Sequence, residues 1–142
     1  MHGLVFVAWE KYLAERFGTS TLSDYRRRIG ESPSDAPLTS RVYDDALLLA
    51  GVAAAHNLTG VPVDTLLHEY GRYFIINGLT SRLCSYLLTQ VGNARDLLLT
   101  MSRAHAQMAH ASEGIMPPLF GYDAMPGDAN GLYMYYVSPR HL

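Results

Sequence analysis

The chain has 142 residues, enough for one domain with a real core and too few for two ordinary ones. With 49% hydrophobic against 17% charged residues, either the core is large or apolar surface is covered by a ligand or a partner. The formal charge of -2, the pI near 6.3 and a single dense basic run, Arg26-Arg27-Arg28, argue against a nucleic-acid partner. That run reads as a solvated helix end.

One cysteine, Cys84, permits no internal disulfide and no cysteine-based zinc site. No apolar run has the length of a membrane span, and the N-terminal stretch lacks a basic lead and a cleavage site, so a soluble, cytoplasmic protein is expected. No nucleophile motif, phosphate loop or spaced carboxylate pair stands out, which makes an enzyme the least supported class.

In chain order, Leu4, Val5, Val7, Ala8, Tyr12 and Leu13 recur at helical spacing from Gly3 to Phe17, with Gly18 as a stop. Ser20 or Ser23 is a candidate cap for a short second helix, Asp24 to Ile29, ended by Gly30. The segment ESPSDAPLTS reads as a surface loop. Tyr43 to His56 predicts a well-buried helix opened by Asp44-Asp45. After a break at Asn57 to Gly60, Pro62 suits the first turn of a fourth helix that continues through Tyr73 and Phe74 to Asn77-Gly78.

Thr80 to Leu88 predicts a fifth helix. Asn93 and Asp96 resemble a capping box that opens a sixth helix running to about Ala111, with Gly114 beyond its end. Pro117-Pro118 cannot continue a helix, and Leu119 to Ala124 and Leu132 to Ser138 read as two strands joined by PGDANG. The expected fold class is α+β: a mainly helical body of about six helices with a C-terminal antiparallel β ribbon. Residues 1–142 are expected to form a single domain, 1–112 helical and 113–142 a proline turn and ribbon.

On the sixth helix Leu98, Met101, His105, Met108 and Ser112 fall three and four apart and share a stripe, while Arg103, Gln107 and His110 form another that reads as solvated. His105 is therefore the better candidate for a buried ligand, its alternative being a core histidine satisfied by a carbonyl or side chain. A metal ligand would use one ring nitrogen and need an acceptor for the other N–H, which the sequence does not reveal. On the last strand Tyr136 and Ser138 alternate onto one face, and Arg140 joins them if the chain stays extended past Pro139. Two hydroxyls and a guanidinium suit a pair of carboxylates, although such a set also occurs on ordinary half-exposed strands.

The segment YVSPR fits the Tyr-x-Ser-x-Arg signature of the haem nitric oxide/oxygen binding (H-NOX) family, which includes the haem domain of the soluble guanylate cyclase beta subunit. His105, Gly114 and Pro117-Pro118 stand in the family's order and at similar spacing, and MHGLVFVAWEKYLAERFG and VYDDALLLAGVAAAHNLTGVPVDTLLHEYGRYF resemble its first and middle helices. The resemblance covers nearly the whole chain. It implies haem b with His105 as the axial iron ligand, Tyr136, Ser138 and Arg140 on the propionates and Pro118 packed on the macrocycle. Met101 and Met108, on the His105 stripe, are counted with the cofactor-binding residues. Val5, Trp9 and Phe74 resemble residues lining the distal pocket, with core packing as the alternative.

Bound dioxygen carries partial negative charge and needs a distal donor, whereas nitric oxide and carbon monoxide need less. Trp9 resembles the family's supporting tryptophan, but Phe74 stands where its asparagine would be, which favours nitric oxide and carbon monoxide over O2. The family continues past the signature with a helix and two strands, whereas this sequence stops at Leu142. The resemblance implies a gas sensor in which nitric oxide weakens the iron–His105 bond and rearranges the helices. Its implied signalling partner is a histidine kinase, a cyclic-dinucleotide enzyme, a cyclase or a chemotaxis protein. A haem-free shortened relative acting as a protein-interaction module is the alternative.

Overall fold

The first helix, α1 (Gly3–Phe17), carries the residues around which its neighbours pack. His2 caps it through Nδ1, which accepts from the Leu4 amide at 3.2 Å. In the computed structural model, which describes residues 1–78, 82–111 and 117–138, and the backbone alone at 82–84, 87 and 108–111, α1 buries Leu4, Phe6, Ala8, Trp9, Tyr12 and Leu13. Gly3 lies so close to the following loop that a Cβ there would fall 1.9 Å from the Leu38 carbonyl oxygen, so no larger residue fits.

Two compact units divide the chain, Met1–Ser81 and Arg82–Leu142. In the first, α1 packs with α2 (Thr19–Arg28), α3 (Asp45–Thr59) and α4 (Val63–Tyr73). The second helix begins five residues before the expected Asp24, because Gly18 at φ +90° turns the chain between helices without a gap. Neither serine caps it: Ser23 lies inside, its hydroxyl donating back to the Thr19 carbonyl at 3.1 Å. Asp44 caps α3 through the Ala46 amide at 2.9 Å, and Gly60 ends it in the left-handed region at φ +70°.

The fourth helix continues as a π turn, Phe74–Gly78. Gly78 sits under the Phe74 ring, where a Cβ would meet ring carbon at 3.0 Å. Buried among these helices are Trp9, Tyr12, Leu13, Tyr25, Val52, Leu66 and Tyr70. The Glu10 and Arg26 side chains, 11% and 13% exposed, form an ion pair at 2.6 Å on the edge of that core.

Tyr12, Tyr25 and Tyr70, all 9% exposed or less, have hydroxyl pKa values pushed above the ordinary phenol value, burial being the largest cause in each. Stability contributed this way is complete below the unfolded tyrosine pKa of about 10 and is lost as pH rises beyond it. Phenolate absorbance followed with rising pH should therefore show these three ionising only as the helical CD signal collapses. Ionisation of all ten tyrosines near pH 10 with helicity intact would contradict the burial.

The second unit holds α5 (Arg82–Thr89), α6 (Ala94–Ala111) and an antiparallel pair, β1 (Leu119–Ala124) and β2 (Leu132–Val137). The first half of the capping box forms, the Asp96 amide donating to Asn93 Oδ1 at 2.9 Å; the Asp96 carboxylate accepts from the Asn93 side-chain amide at 3.0 Å and from the Gly92 amide at 3.4 Å. The register pairs Leu119 with Val137 and Ala124 with Leu132. The α+β expectation holds. No single helix among the described residues is long and apolar enough to cross a membrane.

Candidate functional site

Among the described side chains of α6 the buried one is Ala104, with Met101, Ser102 and His105 half-buried beside it and Arg103 and Gln107 exposed. The predicted stripe thus runs along the border of the buried face. His105 Nδ1 lies 2.8 Å from the Met101 carbonyl oxygen, one turn back. A carbonyl can only accept, so Nδ1 carries the proton and Nε2 is the nitrogen left to bind a metal. This supplies the acceptor that the sequence did not reveal, and it fixes the ring orientation a ligating histidine needs.

The ribbon is clasped to α6 at two points. Ser102 Oγ donates to the Phe120 carbonyl at 2.9 Å, and the Tyr122 hydroxyl donates to the Leu98 carbonyl. In the register Phe120 is opposite Tyr136 and Tyr122 opposite Met134, so these four share one face of the ribbon. The Phe120 ring stands 5.1 Å from the His105 ring and 5.4 Å from the Tyr136 ring, centroid to centroid. Two of the predicted residues are thereby joined through one the sequence reading missed. Strand alternation was its signal, since Phe120 has the parity that faces Tyr136.

Tyr136 is 57% exposed. Ser138 is half-buried just past the end of β2, and Pro118 is half-buried just ahead of β1. Arg140 and Gly114 lie outside the described residues, as do the side chains of Met108 and His110. Among the described residues no three of His, Cys, Asp and Glu gather as metal ligands. His105 therefore offers a single protein donor, which suits a metal whose other ligands come from a macrocycle. Leu98 on the same helix and Met134 on the ribbon face of Phe120 are 37% and 46% exposed, apolar surface that a flat apolar ring would cover, with the Tyr136 hydroxyl as a donor for a carboxylate. The residues present fit a haem.

Val5, Trp9 and Phe74 belong to the first unit. Trp9 is 0% exposed in the core. Its indole N–H meets no acceptor in strict hydrogen-bond geometry, yet it lies near enough to the Tyr25 hydroxyl to lower that phenol's pKa against the larger effect of burial. Val5 is half-buried, and its carbonyl accepts from the Tyr70 hydroxyl at 2.8 Å. Phe74 is half-buried at the start of the π turn, its ring 6.0 Å from that of Tyr70. The packing alternative thus describes Trp9 fully and the other two in part.

Over residues 2–142 the sequence matches the family model described as haem-NO-binding. The chain belongs to that family. Solved structures of haem-NO-binding relatives share its fold. A double variant of the Tt H-NOX protein superposes with a TM-score of 0.84 at 22% identity, over 99% of this chain and 72% of that one. A single-site mutant of T. Tengcongensis H-NOX gives 0.81 at 22% identity, over 96% and 72%. An oxygen-binding H-NOX domain related to soluble guanylate cyclases, in its oxygen complex, gives 0.79 at 23% identity, over 96% and 70%. At these identities the likeness is one of fold, and the family match is what supports a haem-binding gas sensor.

Proposed function

We propose that the chain is a haem b gas sensor selective for nitric oxide and carbon monoxide, with His105 as the axial ligand. The observation that carries this reading is the His105 imidazole, anchored through Nδ1 to the Met101 carbonyl and packed by Phe120 against the Tyr136 strand. Tyr136, Ser138 and Arg140 would hold the propionates. Pro118, Met101 and Met108 would line the haem with them, whereas Trp9 is taken up by the core of the first unit. The iron of a bound haem supplies a coordination position for a diatomic gas.

The chain's own residues set selectivity and transmit the signal. Phe74, which stands where the family's supporting asparagine would be, carries no side-chain donor, and this favours nitric oxide and carbon monoxide over dioxygen, whose partial negative charge needs one. The Ser102–Phe120 and Tyr122–Leu98 hydrogen bonds would carry a displacement of His105 from α6 to β1. The sensor reading is non-catalytic and cytoplasmic. Its output goes to a partner of the histidine kinase, cyclic-dinucleotide enzyme, cyclase or chemotaxis class.

A second reading, a haem-free interaction module, is favoured by the other ribbon face, where Leu119 and Val137 are 70% and 60% exposed. Absorption spectra of the reduced, haem-supplied protein separate the two. The sensor reading expects a Soret band that shifts with nitric oxide and with carbon monoxide and forms no stable complex in air. A lasting oxygen complex would refute the selectivity, and failure to take up haem would favour the interaction module.

A further inference from the structure

The chain's single tryptophan, Trp9, lies among tyrosines. Its ring centroid is 5.6 Å from that of Tyr12, and Tyr12 is 5.9 Å from Tyr73. Core packing accounts for such ring distances. It does not account for where the hydroxyls go. Tyr12 donates to Glu69 Oε2 at 2.8 Å, and Tyr73 donates to Glu15 Oε1 at 2.8 Å. These four side chains line one cavity of about 370 Å³.

The setting differs at the other phenols near Trp9. Tyr70 donates to the Val5 carbonyl, a far poorer base than a carboxylate, and Tyr25 stands beside the indole N–H. Tyr12 itself is 4% exposed, whereas the Glu69 side chain is 35% exposed, so a proton handed to Glu69 reaches solvent without the core opening. The Tyr12 hydrogen bond, with Arg16 adding to it, holds Glu69 below the ordinary carboxylate pKa, so the group is ionised at neutral pH with an oxygen already on the phenol proton. A phenol that passes its proton to a base while losing an electron is easier to oxidise than an indole.

We propose that Trp9, Tyr12 and Tyr73 form a one-electron relay that drains oxidising equivalents from this core into the cavity, with Glu69 and Glu15 as proton acceptors. A one-electron oxidant of the peroxyl-radical class takes an electron from the Trp9 indole and is itself reduced to the peroxide anion. The indole radical cation takes an electron from Tyr12 while the Tyr12 proton moves to Glu69, leaving neutral Trp9, a Tyr12 phenoxyl radical and protonated Glu69. Tyr12 then takes an electron from Tyr73 and recovers its proton from Glu69, and the Tyr73 proton moves to Glu15. An enediol reductant of the ascorbate class in the cavity gives Tyr73 one electron and loses its own proton to solvent, while Glu15 returns the phenol proton. The net change is one electron from reductant to oxidant, with the chain restored. Nothing in this depends on the haem reading.

Laser photoionisation of the full chain, with light that the indole absorbs and phenols do not, tests the relay by transient absorption. The indole radical should convert to a phenoxyl radical in a first-order step. Tyr12→Phe, and Glu69→Gln at the exposed rim, should each slow that step by roughly tenfold or more through loss of the phenol or its proton acceptor. Tyr25→Phe should leave it unchanged. Added ascorbate should shorten the phenoxyl lifetime, and Tyr73→Phe should blunt that effect. Absence of phenoxyl formation in the unaltered chain, or a rate indifferent to both Tyr12→Phe and Glu69→Gln, would overturn the relay.

Discussion

His105→Gly is expected to abolish iron ligation and to lower haem affinity by at least about 100-fold, the upper range attached to outer partners of a metal ligand alone. The substitution removes the imidazole whose Nδ1 the Met101 carbonyl anchors, and no cluster of three or more His, Cys, Asp or Glu side chains among the described residues could hold the metal instead. Glycine inside a helix costs roughly 1 kcal/mol, so α6 should persist, and the helical CD signal checks this. Free imidazole added to the variant should restore the Soret band by occupying the vacated position. A variant that keeps the original ferrous spectrum without imidazole would exclude His105 as the ligand.

The second large effect concerns the ion pair at the edge of the first unit's core. Arg26 Nε lies 3.1 and 3.2 Å from the two Glu10 carboxylate oxygens, Nη2 lies 2.6 Å from Oε2, and Nη1 reaches the Pro33 carbonyl at 2.7 Å. One side chain thus ties α1, α2 and the loop after α2 together. Arg26→Met leaves the Glu10 carboxylate, 11% exposed, without its cation and is expected to cost about 3 kcal/mol or more. The double variant Glu10→Leu with Arg26→Met should recover much of that loss, because no uncompensated charge remains buried. Urea midpoints at unchanged slope measure both. A double variant as unstable as the sum of the two single ones would contradict the desolvation argument.

What the sequence disclosed and what it hid divide along physical lines. The helix start at Asn93 and Asp96, the acidic opening of α3 at Asp44-Asp45 and the limits of β1 were legible because each depends on neighbours in the chain. The start of α2 was not. Gly18 signals a stop, and whether the next helix begins at once depends on the φ that glycine adopts, which composition does not state. The π turn at Phe74–Gly78 was hidden because its apolar residues continue the pattern of α4, and an extra residue per turn leaves no compositional mark.

The candidate site shows the same division. His105 and Tyr136 were singled out from helical spacing, strand alternation and family resemblance. Phe120, which joins them, had the right parity but no distinguishing chemistry. The Met101 carbonyl was beyond reach of any pattern, since a backbone acceptor has no residue identity and its use by His105 depends on one side-chain rotamer. Trp9 points the other way. Its resemblance to a pocket residue was legible, whereas its complete burial beside Tyr25 depends on how α2 packs against α1.

Resonance Raman spectroscopy of the ferrous, haem-supplied protein tests the ligand assignment most directly. An iron–histidine stretching band should be present, should shift on heavy-nitrogen labelling of histidine, and should be missing from His105→Gly until imidazole is added. A band that survives in His105→Gly, or that ignores the label, would contradict the proposed site.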